Sequence, residues 1–176
     1  MLNIILPVSY FLSGFFMKFS DDEYDDNNNT LFAIVLGIIC GVFVAIATLS
    51  SVDACHIFLG ILIGNLLALK IDGKHHVATL LTFFIILAVF GVPQLNSFLL
   101  LIIIFGAWID EWGNDNPKIY NGGFLEYFFD YRCGLKVVIL VLAIFGFLSF
   151  YSFVYFLLFE FGYELARILF SKYLVV

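Results

Sequence analysis

Long apolar runs separated by short polar breaks set the rhythm of this chain. The runs cover Leu2–Phe19, Leu31–Leu49, His56–Ile71, Val77–Val92 and Leu95–Ile109. Each is near the length at which a helix, rising about 1.5 Å per residue, crosses about 30 Å of hydrocarbon. Turn formers or charges close them: Ser50-Ser51-Val52-Asp53-Ala54 after the second run, Asp72-Gly73 after the third and Pro93 after the fourth. The longest polar stretch is Asp110–Leu135, with turn signals at Asn114-Asp115-Asn116-Pro117 and Gly122-Gly123. The remaining 41 residues, Lys136–Val176, are interrupted only at Ser149-Phe150-Tyr151-Ser152 and have the length of two spans. The pattern predicts an all-α polytopic transmembrane helix bundle of about seven spans, one transmembrane domain over residues 1–176. The alternative is six spans followed by an amphipathic C-terminal helix on the membrane surface.

Composition strengthens the membrane reading. Of 176 residues 63% are hydrophobic and 12% charged, and the mean hydropathy is +1.07. A water-soluble domain carries about 25% charged residues. It cannot hide this much apolar surface, whereas a bilayer tolerates an apolar exterior. The net charge of −6 offers no basic excess for phosphate backbones, so nucleic acid is not an expected partner and the lipid bilayer is. The three cysteines, Cys40, Cys55 and Cys133, form no Cys-x-x-Cys pair, and no disulfide framework or cysteine zinc site is expected. Met1–Phe19 has its only basic residue, Lys18, at the far end and reads as a retained first helix rather than a signal peptide.

Seven spans place Lys18, Lys70, Lys74, Lys118, Arg132, Lys136 and Lys172 on one side, with Arg167 in the last helix towards it. The opposite breaks, Ser50–Cys55, Pro93–Asn96 and Ser149–Ser152, contain no Lys or Arg. The positive-inside rule then predicts a multi-pass cell-membrane protein with the N-terminus outside and the C-terminus cytoplasmic. Gly37/Gly41 and Gly60/Gly64 repeat at the four-residue spacing of closely packed membrane helices, which suggests that the second and third helices face protein.

Two acidic motifs echo each other 88 residues apart: Asp22-Glu23-Tyr24-Asp25-Asp26-Asn27-Asn28 and Asp110-Glu111-Trp112-Gly113-Asn114-Asp115-Asn116. A fainter echo joins Gly64-Asn65-Leu66-Leu67-Ala68 to Gly162-Tyr163-Glu164-Leu165-Ala166. Four spans separate the acidic motifs, so both emerge on one face, as in a parallel internal repeat of residues 1–76 and 95–176.

If the helices continue through these motifs, Asp22/Asp26 and Asp110/Asn114 each share a helix face. Asp22, Glu23, Asp26, Asp110, Glu111 and Asp115 are then the candidate metal ligands. Their hard oxygens favour Mg²⁺ or a similar divalent cation. Asp21-Asp22-Glu23-Tyr24-Asp25 also resembles, over five residues only, the Asp-Asp-x-x-Asp pattern with which enzymes acting on prenyl diphosphates hold Mg²⁺. The bland alternative for Ser20–Asn29 is a solvated acidic loop.

Cations accompany the carboxylates. Lys70-Ile71-Asp72-Gly73-Lys74-His75-His76 is a short basic turn suited to a lipid phosphate. His75 is a candidate acid–base group, although adjacent His75 and His76 on a helix point in different directions and are not expected to share a metal. Glu126, Asp130, Arg132 and Lys136 form a further charged cluster, and Glu160, Glu164 and Arg167 lie in an otherwise apolar run. The candidate catalytic residues are Asp110, Glu111 and His75. The candidate substrate-binding residues are Lys70, Lys74, Arg132, Lys136, Glu164 and Arg167.

Three functions compete. A metal-dependent enzyme acting at the cytoplasmic face on a phosphate- or diphosphate-bearing lipid or isoprenoid explains acidic and basic groups on one side. A small cation or solute transporter explains Glu160 and Glu164 in a span. A non-catalytic subunit explains the absence of Gly-x-Ser-x-Gly, Walker and His-Glu-x-x-His motifs. The oligomeric state is not legible.

Overall fold

The computed structural model describes residues 4–116, 119 and 123–173. Among them are eight α-helices and no strand: α1 (Ile5–Asp25), α2 (Thr30–Ser50), α3 (Val52–Leu67), α4 (Lys74–Phe90), α5 (Ser97–Asn114), α6 (Phe124–Asp130), α7 (Cys133–Ile144) and α8 (Phe150–Tyr173). Lys118, which the sidedness reading used, lies outside the described residues, as do Leu2 and Val176 at the ends of expected runs.

Two helices, α2 and α5, are long and apolar enough to cross a membrane. The apolar helices α3, α4 and α7 are shorter. Helices α1 and α8 are 21 and 24 residues long, but ionisable residues occupy their C-terminal halves. The stretch Lys136–Val176 divides into two helices, with α7 closing at Ile144 and Gly146 supplying a positive φ of 76° at the turn.

Two boundaries differ from the apolar pattern. Helix α1 runs through Asp21–Asp25 and α5 runs through Asp110–Asn114, so neither acidic motif is a solvated loop. Asp22, Glu23, Asp110 and Glu111 are buried; Asp22 meets Lys18 one turn back, Asp110 the α7 amides and Glu111 Arg132. The third difference is α6, a short aromatic helix inside the stretch that looked polar.

The helices form a ring with one addition. Helix α1 packs between α2 and α8, α3 between α2 and α5, and α7 between α5 and α8; α4 lies against α2. Successive helices along the chain alternate in direction, whereas the packed pairs α1/α8, α2/α4 and α3/α5 run parallel. At one end the N-termini of α3, α5 and α8 meet. There Asp53 accepts bonds from Ser149 N–H and Ser152 Oγ, both 2.8 Å, and His56 Nε2 accepts from Asn96 N–H at 2.8 Å. The other end gathers the C-termini of α1, α3 and α5 with the N-termini of α4 and α7. Between them sits an aromatic core in which Tyr10 and Phe58 lie 4.8 Å apart and Phe58 and Phe159 5.8 Å apart, centroid to centroid.

Small residues allow the close approach. A Cβ at Gly14 of α1 would lie 2.0 Å from the carbonyl oxygen of Phe159, and one at Gly162 of α8 would lie 2.2 Å from that of Phe11. Gly37 and Gly41 face the α4 backbone at His75 and Thr79, while Gly60 and Gly64 face Ile103 and Ala107 of α5. Both sequence pairs therefore sit in protein interfaces. The outer surface is apolar: Leu31, Leu81, Ile85, Val89, Phe98, Leu101 and Phe105 are all exposed. Such a surface is costly in water and suited to hydrocarbon.

Gly14→Ala forces α1 and α8 apart and is expected to cost about 1–3 kcal/mol, the range for overpacking. Gly123→Ala, where a Cβ meets nothing within 4 Å, is expected to leave stability unchanged. Denaturation midpoints in detergent compare the two.

Candidate functional site

The charged end encloses a recess of about 270 Å³ between α1, α3, α4, α5 and the residue preceding α7. One wall is built where α3 stops and α4 begins. Leu69 adopts a left-handed conformation (φ 59°), and Lys70 N–H bonds back to Asn65 O at 2.9 Å, a helix-terminating turn. The chain then doubles back through Asp72-Gly73 and starts α4 at Lys74. His75 and His76 thus fall in the first turn of α4, opposite the last turns of α1.

There the two rings converge. His75 Nε2 lies 3.1 Å and His76 Nε2 3.0 Å from the same oxygen, Asp21 Oδ1, and the ring centroids are 4.0 Å apart. This corrects the expectation that neighbouring histidines diverge: the long side chains bend towards a carboxylate placed between them. Each ring nitrogen that bonds Asp21 donates to it. His75 is buried, and its Nδ1 has no hydrogen-bond partner; neither has His76 Nδ1. Asp72 Oδ1 is 3.6 Å from His76 Nδ1, beyond hydrogen-bond length. Gly73 leaves room for the His75 ring, because a Cβ there would lie 2.3 Å from Cε1.

These two titratable groups lie beyond the apolar parts of their helices. Burial pushes the Asp21 carboxyl up, but hydrogen bonds and charge from His75 and His76 outweigh it and hold the group at about 2. Burial pushes His76 down, and the bond to Asp21 with the charges of Asp21 and Asp72 more than restores it, so its pKa is raised.

The opposite wall carries Glu111, Asn114 and Arg132. Arg132 Nη2 pairs with Glu111 Oε1 at 3.0 Å and lies over the Tyr163 ring at 5.2 Å. Its backbone is left-handed (φ 47°, ψ 46°) immediately before α7, a conformation that costs a non-glycine residue about 1–2 kcal/mol. Asp110 helps hold it there. Its two oxygens accept N–H bonds from Gly134 at 2.8 Å and Leu135 at 2.6 Å, anchoring the start of α7.

Not every sequence candidate reaches the recess. Asp22 pairs with Lys18 one turn back at 2.7 Å, and Asp26 is exposed at the end of α1. Asp22 and Asp110 therefore do not converge on one ion, since each is committed to a different partner. Glu23 is buried but does not line the recess. Asp115 pairs with Lys70 at 2.5 Å, and Lys70 lines the recess while Lys74 is exposed outside it. Lys136 binds Glu160 at 2.8 Å, and Arg167 binds Glu164 at 2.5 Å. Glu164 and Arg167 border a smaller hollow of about 100 Å³ that shares Asn114 and Arg132 with the main recess.

Asp21, Asp25 and His76 were missed as lining residues. The available signal was Lys18. At i, i+4 it claims Asp22, which leaves the adjacent helix face, Asp21 and Asp25, for the recess.

No protein-family model, curated protein or solved structure matches the chain.

Asp110→Ala strands the two α7 amide groups, each a loss of about 1–3 kcal/mol. The expected outcome is a lower unfolding midpoint together with faster amide exchange at Gly134 and Leu135; unchanged exchange there would contradict the anchoring role.

Proposed function

We propose that this protein is a multi-pass membrane enzyme that uses a divalent ion to act on a phosphate- or diphosphate-bearing lipid at its cytoplasmic face. The observation that carries the reading is the recess itself. Asp21, His75 and His76 stand on one wall with Lys70 and Arg132 also lining it, at one end of a helical body whose outer surface is apolar. A volume of about 270 Å³ suits a phosphate headgroup and an ion rather than a whole amphiphile. The apolar tail then lies along the exposed faces of the helices.

Each part has a physical role. Arg132 presents a planar fork of donors that matches phosphate oxygens, although Glu111 holds it until a ligand competes. Lys70 adds a mobile point charge. Glu111, released from Arg132, becomes a carboxylate able to take a proton at the reacting oxygen. A bound divalent ion supplies Lewis-acid polarisation of the phosphoryl oxygen. Asp110 positions Arg132 through the α7 terminus and touches no reacting atom.

Seven spans, with the N-terminus outside and the C-terminus cytoplasmic, are part of the proposal. The alternating helix directions and the apolar exterior support it. A parallel repeat is supported by the ring order, in which α1–α2–α3 and α5–α7–α8 follow one another in the same sense. The transporter reading is less favoured, because Glu160 is paired with Lys136 and Glu164 with Arg167, although the parallel repeat that also motivates it stands.

Purified protein in mixed micelles is incubated with a panel of long-chain phosphate and diphosphate lipids and followed by ³¹P NMR. Conversion that chelator removes and metal restores, and that Arg132→Gln slows by about 10-fold or more, is expected for loss of a charged phosphate contact. No conversion of any phospholipid with Mg²⁺, Mn²⁺ or Zn²⁺ would count against the reading.

A further inference from the structure

We infer that Asp21, His75 and His76 form a three-ligand site for a borderline divalent transition ion of the Zn²⁺ class, not for Mg²⁺. The inference rests on the proposed function for the use of the ion and on side-chain geometry for the ion itself.

Four observations carry it. The first is the donor set. Two imidazoles and one carboxylate offer one atom each, all within 4.8 Å of one another. Imidazole suits Zn²⁺, Co²⁺ and Fe²⁺, whereas Mg²⁺ seeks oxygen donors and retains its water. The second is spacing. Bonds of about 2.0–2.1 Å to a tetrahedral ion set neighbouring donors about 3.3 Å apart. The two nitrogens already stand 3.0 and 3.1 Å from Asp21 Oδ1, and with all three donors within 4.8 Å of one another, side-chain movements of at most about 1.5 Å close the set on an ion.

The third observation is the carboxylate behind one ring: Asp72 Oδ1 lies 3.6 Å from His76 Nδ1. With the ion on Nε2, each neutral ring carries its proton on Nδ1. His76 Nδ1–H then faces Asp72, in the carboxylate–histidine–metal order that fixes a ligand ring. The fourth is charge. With both rings neutral, as metal ligands are, Asp21, Asp25, Asp72 and Glu111 line the recess against Lys70 and Arg132, leaving two negative charges that a divalent ion neutralises. Three protein ligands leave a further coordination position towards the recess, the arrangement of sites that engage a substrate.

The test uses the full-length protein in detergent and Co²⁺ as the probe. One equivalent of Co²⁺ is expected to give the intense visible absorption of a four-coordinate ion, and Zn²⁺ is expected to abolish it while excess Mg²⁺ does not. His75→Ala and the isosteric Asp21→Asn are expected to remove the band. Asp72→Asn, at an exposed position that does not threaten folding, is expected to weaken Co²⁺ binding about 10–100-fold. A band unchanged in Asp21→Asn and Asp72→Asn, the absence of any band in the folded wild type, or displacement by Mg²⁺ as readily as by Zn²⁺ overturns the site. A bound ion without lipid conversion leaves the site standing and removes the enzyme reading; lipid conversion with Mg²⁺ and no Co²⁺ band does the reverse.

Discussion

A charge surrounded by apolar helices is stable only where another polar group meets it, and that constraint organises this chain. Lys18 meets Asp22, Arg132 meets Glu111, Lys136 meets Glu160 and Arg167 meets Glu164. Asp110 takes two backbone N–H groups, of Gly134 and Leu135, in place of an ion pair among the described residues. Removing the partner of Asp22, Asp110 or Glu111 leaves a buried carboxylate uncompensated, which costs more than the pair itself contributes; the Arg167–Glu164 pair is more exposed and contributes less. The exception is informative. Asp21 is met by two histidines whose remaining ring nitrogens have no partner, so its polar set is incomplete as it stands.

Packing and polarity are linked through α4. Gly37 of α2 admits the His75 backbone, and Gly73 admits the His75 ring. Two missing side chains, on different elements, therefore place one imidazole beside Asp21. The same economy recurs at Gly134, where a Cβ would lie 2.5 Å from Asp110 Oδ1. Glycine in this protein serves close approach of backbone to a functional group, in addition to the helix contacts at Gly14 and Gly162.

Much of the scaffold was legible in the sequence. The apolar runs mark α2 to α5, Asp72-Gly73 and Pro93 mark their breaks, and the glycine pairs mark protein-facing surfaces. The segment after Lys136 divides as its length predicts. The extensions of α1 and α5 were not marked by the apolar pattern, because hydrophobic periodicity stops at the acidic residues; the i, i+4 pair Lys18–Asp22 was a readable signal, whereas the α7 amides that meet Asp110 come from a distant segment. Helix α6 was hidden because Phe124, Leu125 and Tyr127 lie within a stretch dominated by Asn, Asp and Gly. The site was half legible. Asp110, Glu111, His75, Lys70 and Arg132 belong to the charged end, but Asp21, the carboxylate that the two histidines meet, lies one position from Asp22. One residue on a helix turns the side chain by about 100°, enough to exchange a recess for a local ion pair.

In the proposed topology the alternation of successive helices brings these groups to a single water boundary, and that placement is open to direct measurement. Lys74→Cys at the charged end and Gln94→Cys at the other end are introduced singly into a chain whose Cys40, Cys55 and Cys133 are replaced by Ala. Each is then labelled with a membrane-impermeant thiol reagent in sealed vesicles of both orientations. The account predicts that the two positions react only from opposite sides, with Lys74→Cys reacting from the cytoplasmic side. Reaction of both from the same side, or of either from both sides, would contradict it.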